Sequence, residues 1–81
     1  MARATGTQAL TTAAVQLPAQ PCLEVSIRNN DGSIAVLLGW TATTQSYTIP
    51  AGGEVVVQAS NLNQLWAKGA SGTPTLSYIT S

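Results

Sequence analysis

Few side chains in this 81-residue chain could do chemistry: six carry a full charge at neutral pH, one is a thiol, and none is a histidine. A nucleophilic Cys22 needs a neighbouring base to become a thiolate, and the chain has no imidazole to serve. A buried, inert thiol at a strand start is therefore the favoured reading. Glu24 and Glu54 could form an acid–base pair for glycoside hydrolysis if folding set them about 5 to 9.5 Å apart. Both fall on polar faces of strands, where a solvated charge is the simpler account. Glu24, Asp31 and Glu54 match no ligand spacing, so neither a metal nor another cofactor is expected.

The aromatic residues are Trp40, Tyr47, Trp66 and Tyr78, with no Phe. Rings standing free on a sheet could stack on sugars. The favoured alternative is that they complete a thin core or a contact between subunits. Trp66 falls on the face opposite Leu65 and Ala67, and large rings are enriched at protein interfaces. The glycine-rich pieces at 52–53 and 69–72 lack the strand-to-helix setting and the lysine of a phosphate-binding loop, and read as turns.

The elements that must position these residues are short strands. Residues 1–10 (MARATGTQAL) show no period and are expected to form a mobile or partner-bound arm. Alternation starts at residue 12 and stops at Pro18 and Pro21, which cannot donate within a ladder. Residues 22–28 put Leu23, Val25 and Ile27 on one face and Glu24, Ser26 and Arg28 on the other. The Asn29–Gly32 cluster suits a turn, so a hairpin is expected there. Its second arm, 33–39, carries a continuous apolar run from Ile34 to Leu38, which suggests a strand buried on both faces or half covered by a neighbouring subunit.

A brief strand at 46–49 leads through Pro50, Ala51, Gly52 and Gly53 into a second expected hairpin. Residues 54–59 place Val55, Val57 and Ala59 on one face and Glu54, Val56 and Gln58 on the other. SNLN (60–63) returns the chain through a single helical turn or a 3₁₀ turn, and strands are expected at 64–68 and 75–80. About seven short strands with no long helical period predict an all-β fold. The expected form is a small antiparallel β-sandwich or jelly-roll-like barrel over residues 11–81, preceded by the arm.

Size and charge set the mode of action. A single domain this small buries only roughly 60 to 65% of its extended surface, and a lone cysteine cannot close an internal bridge. Association with other copies is the expected remedy. Charged residues make up 7% of the chain with a net charge of zero, against roughly 25% charged in typical soluble domains. Nucleic acid is excluded as a partner because it binds through neutralised phosphates. No stretch resembles a signal peptide or a membrane span, and an unpaired thiol suits synthesis in a reducing cytoplasm.

Residues 11–79 resemble small β proteins encoded among the virion genes of tailed bacteriophages. The resemblance rests on the order of LPAQPC, LEVSIRN, IAVLLG, QSYTIPAGGEVVV and NLNQLWAKGASGT, followed by a closing strand. That group includes capsid decoration or cement proteins, fibre-associated modules and small tail components. The chain has no long repeat, no stalk and no tip domain, which favours decoration. The resemblance implies a non-enzymatic protein on the outer shell of the virion. It would be bound to the major capsid protein and associated with its own copies, a trimer being favoured. Candidate contact residues are Arg3 and Leu10 in the arm, Val36 and Leu38 in the apolar run, and the rings Trp40 and Trp66. The alternative is a tail or fibre-associated module that binds host-surface carbohydrate through Trp40 and Trp66.

Overall fold

A computed structural model describes residues 4–81. It contains eight strands: β1 (Thr5–Ala9), β2 (Val15–Gln16), β3 (Glu24–Asn29), β4 (Val36–Gly39), β5 (Tyr47–Ile49), β6 (Glu54–Gln58), β7 (Trp66–Gly69) and β8 (Thr75–Thr80). A 3₁₀ turn, Leu62–Gln64, separates β6 from β7. Among the described residues no helix is long and apolar enough to cross a membrane.

The period-two pattern becomes burial. In β3, Val25 and Ile27 are fully buried while Glu24 and Arg28 face water, and in β8 Leu76 is buried while Ile79 is exposed. Inward residues of both sheets meet in one core of Leu10, Leu17, Val25, Ile27, Val36, Leu38, Ile49, Leu62, Leu65, Ala67 and Leu76. These are aliphatic side chains, so the core is built from branched packing rather than stacked rings. Half-buried Tyr78 adds one ring, lying where a Cβ on Gly6, its cross-strand neighbour, would have to be.

All pairings are antiparallel, and they are nested. The first strand pairs with the eighth, the second with the seventh, the third with the sixth and the fourth with the fifth. Pairings of β3 with β8 and of β4 with β7 complete two four-stranded sheets, β1-β8-β3-β6 and β2-β7-β4-β5. A long two-stranded ribbon rolled over on itself gives this order, which is that of a jelly roll. Every connection except β4–β5 carries the chain from one sheet to the other.

Four expectations need correction. Thr5–Ala9 do not form a free arm: they are an edge strand in register with β8 from Thr5 opposite Ile79 to Ala9 opposite Thr75. Thr and Gly residues without apolar alternation still pair when a neighbouring strand offers its free edge. The turns at 29–32 and 50–53 do not close hairpins, because the strands they join lie in different sheets. A two-residue type I′ hairpin needs positive φ at both central positions, and among the described residues only Gly52 and Gly72 have positive φ.

Leu23 is exposed although Val25 and Ile27 are buried. It precedes β3, and buried Cys22 takes the inward place beside it. The apolar run at 34–38 is buried on one face only, with Val36 and Leu38 inward and Leu37 half-exposed.

Candidate functional site

The two sheets do not close on each other along the side where β5 and β6 are the edge strands. A cleft of about 830 Å³ opens there. Its floor is Leu38, Val55, Val57 and Leu65, all inward side chains of the sandwich, and Trp40 and Tyr47 stand at its mouth. Trp40 is 57% exposed and Tyr47 55%, so each ring keeps a face for something outside the fold.

Local chemistry fixes both rings. The loop after β4 is tied by the Thr44 amide donating to Thr41 Oγ1 at 3.2 Å and by Gln45 Nε2 donating to the Thr41 carbonyl at 2.6 Å. A Cβ at Gly39 would overlap the Thr44 carbonyl, so only glycine lets the loop lie against the end of β4. Trp40 leaves the sheet at that point. Tyr47, opposite Leu38, shares the parity of buried Ile49 in β5, but is itself exposed on the cleft.

The cleft wall carries hydroxyls of Thr41, Thr44 and Ser46 and the amide of Gln58, and no carboxylate, amine or thiol lines it. Such a site can hold an apolar or ring-shaped group and hydrogen-bond its rim. It offers no group to transfer a proton near neutral pH.

The candidate contact residues are scattered by the fold. Arg3 lies outside the described residues. Leu10, Val36 and Leu38 belong to the core; Leu10 and Val36, at most 1% exposed, offer no surface to a partner in the folded chain, while Leu38 also forms part of the cleft floor. Their inward parity decides this, since an apolar run fills its own core before it serves a neighbour. Trp66 is half-buried on the outer face of its sheet, between Gln16 and Gly39 in register, and does not join Trp40. Tyr47 lines the cleft with Trp40 instead. It shares the face of buried Ile49, and only the tertiary structure shows the open cleft at that place.

The possible chemical residues are kept apart. Glu54 is opposite Arg28, four residues along β3 from Glu24, which at about 3.3 Å per residue separates the two glutamates by ~13 Å at the backbone. That exceeds the about 5 to 9.5 Å of a glycosidase pair. Cys22 is buried, its Sγ donating to the Ala59 carbonyl at 3.1 Å, and desolvation raises its pKa above the usual 9.0. The thiol is thereby kept protonated and unreactive. Among the described residues no cluster of three His, Cys, Asp or Glu could hold a metal ion.

Two polar residues that seemed only turn formers hold the site's framework. Asn29 is fully buried, and its Nδ2 is shared among the carbonyls of Ile34, Ile49 and Pro50 at 2.8, 3.2 and 3.2 Å. Its Oδ1 accepts from the Asp31 amide at 3.0 Å. One side chain thus ties β3 in the first sheet to the end of β5 in the second. Asp31 Oδ1 accepts from the amides of Ser33 and Ile34 at 2.8 and 2.9 Å, and these bonds hold its pKa below the usual 3.8. No protein-family model and no curated protein matches the chain.

Proposed function

We propose that the protein is a structural component of a tailed-bacteriophage virion, a decoration or cement protein. It binds the outer shell and stabilises it through contacts with the major capsid protein and with its own copies. One observation carries the reading: a body with six charged residues exposes large apolar side chains at Leu23, Trp40, Tyr47, Val56 and Ile79. A small monomer gains nothing from such a surface, whereas a lattice partner removes it from water at roughly 25 cal/mol per Å² of apolar area. The rolled topology supports the reading by analogy alone, since jelly rolls recur in viral capsid and lectin domains.

The contact is assigned to this exposed surface rather than to an N-terminal arm, because Thr5–Ala9 belong to the sheet. Copy number tests the reading. Quantitative mass spectrometry of purified particles should find copies in proportion to the major capsid protein, and the purified chain should cosediment with undecorated shells. A few copies per particle, or none, would remove it.

A second reading is favoured by the pairing of Trp40 with Tyr47 above a cleft rimmed by hydroxyls. In it the protein is a tail or fibre-associated module that binds host-surface carbohydrate by ring stacking. Glycan binding should then quench tryptophan fluorescence in the wild type and not in Trp40→Ala. Absence of any glycan-dependent change leaves the shell reading alone.

A further inference from the structure

Strand β6 ends its sheet with one side unpaired among the described residues. Its other side is fully used by β3. The Asn29 amide donates to the Gly53 carbonyl at 2.8 Å and the Ala59 amide to the Leu23 carbonyl at 3.3 Å, with Ile27 opposite Val55 and Val25 opposite Val57 between them. Glu24 bonds in the other direction, exchanging both bonds with Ser81 at 3.2 and 3.0 Å. Backbone groups alternate sides along an antiparallel strand. Residues 53, 55, 57 and 59 therefore turn their N–H and C=O groups to β3, while Glu54, Val56 and Gln58 turn theirs away from the sheet.

Natural edges are protected by charged side chains, above all Lys, and by Pro, bulges or shortness; across Glu54, Val55, Val56, Val57 and Gln58, β6 carries the one charge of Glu54 at its end and neither Lys nor Pro. The edges of the second sheet differ, since β2 and β5 are two and three residues long.

We infer that β6 pairs with β6 of a second copy, antiparallel and centred on Val56, joining two four-stranded sheets into one of eight strands. The register follows from charge. Centred on Val56, each Glu54 faces the partner's Gln58, each Val56 faces its twin, and the outward N–H and C=O of all three residues are satisfied. A register centred on Glu54 would set two carboxylates directly opposite each other, which is destabilising.

Packing agrees on both faces. Val56, 59% exposed, meets its twin and continues the cross-strand row of Ile79, Ser26 and Val56. On the inner face Val55 meets the partner's Val57, closing the side of the cleft that these valines line. The contact is isologous and closes at two copies, so a trimer would have to use another surface. It goes beyond the shell reading and stands or falls without it.

Analytical ultracentrifugation of the full chain in solution tests the pairing, with no capsid present. Between about 1 μM and about 1 mM, the range for modest interfaces, the mass should rise from 8.3 kDa toward twice that value. Val56→Lys sets like charges opposite each other at the twofold axis and should raise the dissociation constant roughly tenfold or more, with an unchanged circular dichroism spectrum. Ile79→Lys, on the same face two strands inward, should leave the constant as it is. Gln58→Lys, facing the partner's Glu54, should tighten the dimer about two- to fivefold, and Gln58→Glu should weaken it. A chain that stays monomeric at about 1 mM, a folded Val56→Lys variant that dimerises like the wild type, or a trimer indifferent to Val56→Lys would overturn the inference.

Discussion

Asn29 shows how much one side chain can decide. Its amide serves three carbonyls on two segments, so Asn29→Ala would leave buried acceptors unpaired and should cost about 1–3 kcal/mol in urea denaturation. Asn29→Asp should cost more, because it removes the donors and adds a charge where carbonyl oxygens converge. Asp31 acts through its ionised form. Its folded pKa lies below the usual 3.8, so its contribution is complete above that value and is lost as pH falls through the folded pKa. The urea midpoint of Asp31→Asn should therefore fall less than that of the wild type between neutral pH and about pH 3. Equal acid slopes would contradict this assignment.

At the scale of the element, edge strands and turns differ most from their sequence reading. β1 is a two-sided polar strand, yet it supplies a full ladder to β8 and delivers Leu10 to the core. Deleting residues 1–10 should therefore lower the melting temperature markedly, the loss of buried Leu10 alone costing about 2–5 kcal/mol. A truncated chain melting like the intact one would restore the picture of a dispensable arm. The turn before β7 is held by a reciprocal cap: Asn61 Oδ1 accepts from the Asn63 amide at 3.1 Å and Gln64 Oε1 from the Asn61 amide at 3.3 Å. Asn61 also accepts from the Gln20 amide at 3.0 Å, fixing the chain before β3. Asn61→Ala should cost about 0.5–2 kcal/mol, measured the same way. Its local spacing was legible in SNLNQ; its bond to Gln20 was not.

For the whole molecule, the weak electrostatic protection of a chain with zero net charge makes association the natural outcome of exposed apolar groups. Two surfaces divide that role. In the proposed dimer the β6 edge would meet its own copy, and in the proposed functions the Trp40 and Tyr47 side of the cleft would meet a shell or a glycan. Salt separates them from a charge-driven contact, since attachment to shells through apolar groups should persist at about 1 M salt, where ion pairs are screened beyond ~3 Å. Release of bound protein by salt in a cosedimentation assay would point to the few charged residues instead.

Alternation of side chains across a strand is a local property, and the sequence by itself therefore determined an all-β fold, the inward places of Val25 and Ile27 in β3 and of Val55 and Val57 in β6, and a single-turn return before β7. Six sheet-to-sheet crossings and the nested pairing were decided only in three dimensions. A turn residue reverses the chain without choosing the strand it will meet, and that choice belongs to the burial of both sheets at once. The same reason separates the rings. Parity placed Trp66 opposite Leu65 and Ala67, but only the open side of the sandwich brought Tyr47 and Trp40 to one cleft, and only the hydrogen-bonding direction of β3 left the backbone groups of Glu54, Val56 and Gln58 facing outward.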